Sequence, residues 1–171
     1  YLEPNRRMKR LSVDSHSRVI RMFAFLGIGV LQAVLLGIVG QFGLGLPINN
    51  VFGFYSAVIL ASATFVAIIQ FLMMYLGDIG KILSMALMVL QLTSTGGTFP
   101  IETSGAFFEV LNKIMPMTYS VNLLKEVISG GDAGIIWYNV GILFAFFAAF
   151  TAVTLGLAIY QDKKDKKNQA K

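Results

Sequence analysis

The sequence has no cysteine, and no charged residue or histidine lies between Met22 and Gly77. The first absence excludes disulfides and thiolate metal sites. The second excludes a water-soluble fold, because the uncharged run would form a helix of about 84 Å, whereas the hydrocarbon core of a bilayer is about 30 Å thick. The run therefore predicts two membrane spans, residues 22–46 and 51–77, divided at Pro47, where a helix cannot continue.

The motifs of common enzyme classes are also missing. The sequence has no Gly-x-x-x-x-Gly-Lys-[Ser/Thr] loop for ATP, no His-Glu-x-x-His and no Gly-x-Ser-x-Gly. Its single histidine, His16, lies in the basic leading segment. Asp78 and Asp132 fall in predicted connections rather than at the membrane depth that an intramembrane aspartyl protease requires. We therefore expect no enzyme activity, no cofactor and no metal.

The residues that are present predict an all-α integral membrane protein. Hydrophobic residues make up 56% of the sequence and charged residues only 13%, about half the usual fraction of soluble domains. The segments are apolar on every face, whereas barrel strands alternate apolar and polar residues. Residues 82–101 and 135–160 add two spans, the latter bounded by the interfacial aromatics Trp137 and Tyr160. We expect four transmembrane helices in residues 22–160.

Lysine and arginine are concentrated in residues 1–21 and 161–171. The positive-inside rule places both segments in the cytoplasm of a multi-pass cell-membrane protein. The net charge of +5 then reflects topology and contact with an anionic lipid bilayer, not nucleic-acid binding. Because the chain starts with Tyr1 and residues 1–21 lack the apolar core of a signal peptide, we expect it to begin inside a longer protein.

The connection between the last two spans has helical periodicity that Pro116 interrupts. It predicts two short helices, residues 104–114 and 117–128, with Pro116 as the outer helix hinge. These helices are extracytoplasmic or re-entrant: they lie in the outer interface or dip into the bilayer, or they form an amphipathic hairpin that only covers the bundle.

The third predicted span becomes polar in its second half. Such backbone is tolerated inside a membrane only where protein or a wet cavity satisfies it. The segment is either the capped end of a helix or the lining of a translocation path or its gate. The candidate path residues are Gln91, Thr93, Ser94, Thr95, Gly96, Gly97 and Pro100.

No span contains an ionisable residue, which disfavours an ion-coupled carrier. The four glutamines in the spans either line a path or form interhelical hydrogen bonds: Gln32, Gln41, Gln70 and Gln91. Rows of small residues favour close helix packing within the chain, with other spans, or in a homodimer. On the second span these are Ala57 with Ala61 and Ala63 with Ala67. On the last span they are Gly141, Ala145 and Ala149 and, beside them, Ala148, Ala152 and Gly156.

The stretch from Gln91 to Ile101, QLTSTGGTFPI, is followed by Phe107-Phe108, by MPMTYSVN from Met115 to Asn122, and by Lys125-Glu126. These motifs, about 40 residues, resemble the C-terminal membrane domain of the phage infection protein family (Pip, YhgE-like), which is similar to the permeases of type 2 ABC exporters. The resemblance implies six spans with a large ectodomain after the first, of which this chain holds the last four. It implies that residues 104–128 are the paired outer helices. It also places a candidate partner contact in the cytoplasmic loop, at Arg6, Arg7, Lys9 and Arg10.

Two functions follow from the pattern and the resemblance. The first is a membrane permease-like subunit for export or secretion, powered by a separate ATPase subunit or secretion machinery. The alternative is a non-transporting anchor or scaffold for a large ectodomain, as in type VII secretion accessory components and phage receptors.

Overall fold

The computed structural model describes residues 4–94 and 106–169, with side chains for residues 20–92 and 110–160. The expected all-helical fold is confirmed, and this described part contains no strand. Its elements are α1 (Pro4–Ile38), a π-helical turn (Val39–Gly43), α2 (Val51–Leu76), α3 (Asp78–Ser94), α4 (Ala106–Ile114), α5 (Pro116–Ser129) and α6 (Ala133–Gln169).

Three of these helices are long and apolar enough to cross a membrane: Ile20–Gly43, Val51–Leu76 and Ala133–Tyr160. They indicate a membrane-embedded protein. Two of them are parts of longer helices, because α1 starts at Pro4 within the basic leading segment and α6 continues to Gln169 within the basic tail. Of the segment predicted as residues 82–101, residues 82–94 are described, and they belong to α3, a helix of 17 residues that starts at Asp78.

Helix α2 is central and contacts α1, α3, α5 and α6. The Gln70 side chain bonds to the Met22 carbonyl of α1, whereas Tyr55 bonds to Gln41 in the π-helical turn, so α1 and α2 are antiparallel. On the other side, Thr64 bonds to the Leu143 carbonyl and Phe71 contacts Phe150, so α2 and α6 are parallel. We call the end of the bundle with Met22, Gln70 and Asp78 the basic end.

The opposite end, which we call the α5 end, holds the loop between α1 and α2. Asn50 caps α2 by accepting a 2.9 Å hydrogen bond from the Gly53 amide, as expected for an N-cap asparagine. Asn49 donates a 3.1 Å hydrogen bond to the Ser129 carbonyl at the end of α5. These contacts hold α5 beside the start of α2.

Helix α1 packs closely on α2 through a row of small residues. Gly29, Ala33 and Gly37 recur every four residues and are buried. A β-carbon on Gly29 would lie 2.8 Å from Cγ2 of Val66, and one on Gly37 would lie 2.7 Å from Cε1 of Tyr55. Close approach of this kind is a principal source of helix association in lipid.

Candidate functional site

The α4–α5 pair lies at the α5 end, and Pro116 separates its two helices. Met115 has extended backbone angles (φ −76°, ψ 129°), and Pro116 is buried in the first turn of α5, where its missing N–H removes no helical hydrogen bond. The Tyr119 hydroxyl donates a 2.6 Å hydrogen bond to the Lys113 carbonyl of α4. This bond joins the two helices across the proline that we predicted as the hinge.

Helix α5 belongs to the core of the bundle. Leu123 is 1% exposed and Val127 is 3% exposed, and both pack in one cluster with Phe54 of α2 and Leu143 of α6. A β-carbon on Gly53 would lie only 3.2 Å from Cγ1 of Val127, so α2 and α5 are in close contact. Helix α5 therefore does more than cover the bundle surface.

The turn from α5 into α6 is fixed by local hydrogen bonds. Gly130 adopts the left-handed conformation (φ 72°) that ends many helices, and the Gly131 amide donates to the Glu126 carbonyl. The Glu126 carboxylate accepts from the Asp132 amide at 3.2 Å, and Asp132 accepts from the Gly134 amide at 2.6 Å. The acidic residues of this connection thus cap helix ends.

Helix α3 turns its glycine and its uncharged polar side chains, Ser84 and Gln91, towards the bundle. Gly80 and Gln91 are buried, Ser84 and Leu87 are half-buried, and all four lie on one side of the helix, which we call the inner face of α3. Gln91 is 6% exposed. The other large apolar side chains described on α3 are exposed: Ile79, Ile82, Leu83, Met85, Met88, Val89, Leu90 and Leu92. With the exception of Leu87, α3 therefore exposes its large apolar side chains. A helix of a soluble protein does the reverse and buries them.

The remaining candidate path residues adjoin this face. Thr93 and Ser94 form the last residues of α3, for which the backbone is described. Thr95, Gly96, Gly97 and Pro100 lie outside the described residues. The candidate partner-contact residues Arg6, Arg7, Lys9 and Arg10 lie in the first turns of α1, also with the backbone alone described.

The other glutamines take different roles. Gln41 accepts a 3.0 Å hydrogen bond from Tyr55, and Gln70 donates a 3.0 Å hydrogen bond to the Met22 carbonyl, so both link α2 to the preceding segment. Gln32 is exposed on α1. Oε1 of Gln70 is buried without a hydrogen-bond partner among the described residues.

The rows of small residues on α2 and α6 differ in their burial. Ala57, Ala61 and Ala67 of α2 are buried within the bundle. The row on α6 is exposed over its whole length: Gly141, Ala145, Ala148, Ala149, Ala152 and Gly156. Our reading of the sequence did not single out the buried row of α1, although the spacing of Gly29, Ala33 and Gly37 carries the same signal.

Titratable groups are sparse where side chains are described, and no cluster there could hold a metal ion. Asp78 and Lys81 form an exposed ion pair of 2.7 Å at the start of α3. The hydrogen bond and the charge of Lys81 lower the pKa of Asp78, and the same contact raises the pKa of Lys81. Asp78 also lies in the first turn of α3, where a negative charge is favourable.

Comparison with known proteins gives one informative similarity. No family model matches the chain, and no solved structure matches it. Over 142 residues, 83% of the chain, it is 34% identical to the uncharacterized protein YhgE of Bacillus subtilis (strain 168). The matched region is 18% of that protein, so the chain spans less than a fifth of this relative. The similarity supports a relation of this membrane protein to YhgE and the phage infection protein family.

Proposed function

We propose that the chain is the C-terminal membrane domain of a phage infection family protein and works as a permease-like subunit for export or secretion. A separate partner, either an ATPase subunit or a secretion machinery, supplies the energy. The identity to YhgE supports the family, and the two-sided character of α3 supports the function.

The observation that carries the proposal is the inner face of α3, which holds the two uncharged polar side chains described on this helix, Ser84 and Gln91. In lipid, the exposed apolar side of α3 contacts acyl chains at no cost, whereas the inner face is turned towards the bundle, in which α2 is the main neighbour of α3. The 17 described residues of α3 measure about 26 Å, close to the hydrocarbon thickness of about 30 Å. We therefore propose α3 as the fourth span.

Gln91 lies on this face just before the Thr93–Pro100 segment. A path along α3 would thus be lined first by Ser84, Leu87 and Gln91 and then by the hydroxyls and glycines of that segment. The paired helices α4 and α5 follow directly and lie across the α5 end of the bundle. This order of a polar helix end followed by two short outer helices is what the resemblance to exporter permeases implies.

The proposal also includes the orientation of the bundle in the membrane. The first span begins, and the last span ends, near the basic end, because Arg21 and Thr154 line the same groove. Both basic segments therefore leave the bundle at one end, which we propose to be cytoplasmic. Residues Arg6 to Arg10 would then contact the energy-supplying partner.

The test compares Gln91→Leu and Gly97→Val with Gln32→Leu, a control that removes an exposed amide from α1. Each variant is expressed as the full-length protein in a deletion strain, and its insertion is measured by surface abundance. The proteins and lipids released into the medium are quantified by mass spectrometry. We expect Gln91→Leu and Gly97→Val to lose the release that the wild type restores, and Gln32→Leu to keep it. Normal release by inserted Gly97→Val would contradict the path.

The anchor remains the second candidate function, and one observation favours it. The buried hydroxyls of Thr64 and Thr154 and the amide of Asn139 bond to carbonyls one turn earlier in their own helices. These side chains are therefore satisfied within their own helices and need no water-filled passage, and the Ser84 hydroxyl on the inner face of α3 bonds in the same way to the Gly80 carbonyl. If the domain is an anchor, all three variants should support phage adsorption and display the ectodomain. The released proteins and lipids should then be the same in the wild type, the variants and the deletion strain.

A further inference from the structure

A groove of about 550 Å³ opens at the basic end between α1 and α2, with Thr154 of α6 also lining it. Its walls are mostly apolar and include Phe25 and Ile28 of α1 and Val66, Ile69, Met73 and Met74 of α2. The amides of Gln32 and Gln70 also belong to the lining. The volume lies within the range of about 300–1,000 Å³ that is typical of small-molecule sites. The groove is separate from the inner face of α3.

One end of the groove is cationic. Arg21 is exposed, is the last charged residue before the uncharged run, and is the charged member of the lining. No acidic side chain belongs to the described lining. Asp78, at the same end of the bundle, is paired with Lys81 at 2.7 Å. Arg21 therefore gives the groove a cationic end.

The position next to Arg21 is fixed from the neighbouring helix. Gln70 of α2 donates its 3.0 Å hydrogen bond to the carbonyl of Met22, the residue after Arg21. Met22 itself is 5% exposed. The backbone next to Arg21 is thus held against α2, beside the apolar walls of the groove.

We propose that this groove binds one anionic phospholipid of the surrounding bilayer. The phosphodiester lies on the guanidinium of Arg21, which can bind two phosphate oxygens at once, and an acyl chain lies along Phe25, Ile69 and Met73. An apolar groove with a cation at the membrane surface matches the charge and the shape of such a lipid. The basic segments 1–21 and 161–171 raise the local concentration of anionic lipid. The site is independent of the proposed function and is compatible with a permease and with an anchor.

The experiment measures lipids retained by the purified full-length protein. The protein is reconstituted in bilayers with equal amounts of phosphatidylglycerol and phosphatidylcholine of identical acyl chains, extracted in mild detergent, and analysed by native mass spectrometry. Arg21→Gln removes the cation, and its matched control, Lys81→Gln, removes a cation at the same end outside the groove. Ile69→Trp fills the groove, and its control, Leu36→Trp, adds the same ring to an exposed position on α1.

We expect the wild type to retain one phosphatidylglycerol in preference to phosphatidylcholine. Arg21→Gln should reduce this preference about tenfold, because phosphatidylcholine has the same phosphodiester but also a choline cation that the guanidinium repels. Ile69→Trp should remove the bound lipid altogether, while both controls behave as the wild type. Size-exclusion chromatography shows that each variant is folded.

Equal retention of the two lipids by the wild type would overturn the proposal, as would an unchanged preference in folded Arg21→Gln. Retention of a free fatty acid or another single-chain amphiphile in place of phospholipid would also overturn it. Loss of lipid binding with normal release of exported material would leave the proposed function intact, so the two proposals fail separately.

Discussion

The Ser62 hydroxyl donates a 2.8 Å hydrogen bond to the backbone carbonyl of Gly29, across the contact between α2 and α1. The bond requires the two helices to approach closely, and Gly29 permits this because it has no side chain. A β-carbon there would lie 2.8 Å from Cγ2 of Val66 and 3.2 Å from the Ser62 hydroxyl. The contact gives a direct test of how α1 and α2 associate.

We predict that Gly29→Leu destabilises the folded bundle by about 1–3 kcal/mol, because overpacking forces the two helices apart. The measurement is unfolding in mixed detergent micelles with increasing sodium dodecyl sulfate. Gly27→Leu is the control, since nothing lies within 4 Å of a β-carbon at Gly27. Equal stability of the two variants would contradict the close contact.

The turn between α2 and α3 depends on Gly80. A β-carbon on Gly80 would overlap the Leu72 carbonyl oxygen and lie 2.7 Å from the Leu72 carbonyl carbon, so backbone rather than a movable side chain blocks it. We predict that Gly80→Ala displaces α3 and destabilises the protein by about 2 kcal/mol or more. Gly156→Ala, at an open position of α6, is the control. Thermal unfolding in detergent measures both, and a neutral Gly80→Ala would refute the packing of α3 on α2.

The docking of α5 depends on Leu123. Truncation to alanine removes a side chain that is 1% exposed within the cluster of α2, α5 and α6, and we expect a loss of about 2–5 kcal/mol. Ile114→Ala, at the exposed end of α4, should change the stability by about 0.5 kcal/mol or less. Chemical unfolding followed by circular dichroism distinguishes them. If the two substitutions cost the same, α5 is not part of the core.

The ion pair at the start of α3 predicts a small pH effect of defined sign. Lys81 lowers the pKa of Asp78 below its ordinary value of 3.8, so the pair stabilises the fold above that value and loses its effect as the pH falls through the lowered pKa. Both side chains are exposed, so the effect on stability is slight. In Lys81→Gln the pKa of Asp78 should return upward, as measured by carboxyl-carbon nuclear magnetic resonance. An unchanged pKa would show that the pair does not form in solution.

Cysteine labelling tests the orientation, and these 171 residues add no cysteine of their own to the background. We predict that cysteines at Ser12 and Gln169 resist an impermeant maleimide on intact cells and react after permeabilisation. A cysteine at Gly131, in the connection between α5 and α6, should react on intact cells. Labelling of Ser12 or Gln169 from outside would reverse the proposed topology.

Much of the architecture can be predicted from the sequence, because a segment that spans a lipid bilayer must be long and apolar. The all-helical class is confirmed, and the uncharged run and the apolar segment before Tyr160 appear as three span-like helices. Pro116 lies at the start of α5 because a proline is compatible only with the first turn.

Other features depend on tertiary contacts that periodicity does not reveal. The sequence does not show that Ala57, Ala61 and Ala67 of α2 are buried while the small residues of α6 are exposed, since both helices carry such rows. Likewise, Gln70 and Gln32 have the same chemistry, yet Gln70 reaches a carbonyl of α1 and Gln32 is exposed. The groove at Arg21 is formed by residues of three helices, α1, α2 and α6, and no short sequence motif predicts it.

Helix α6 runs without interruption from Ala133 to Gln169, a length of about 55 Å. Its span-like part ends at Tyr160, so the last nine residues extend about 13 Å beyond it as a continuation of the same rod. A helix transmits torque and axial displacement along its hydrogen-bonded backbone, and at Leu143 this rod is joined to Thr64 of α2. The lysine-rich tail and the residue that contacts the centre of the bundle therefore belong to one continuous helix, with no break in the backbone between them.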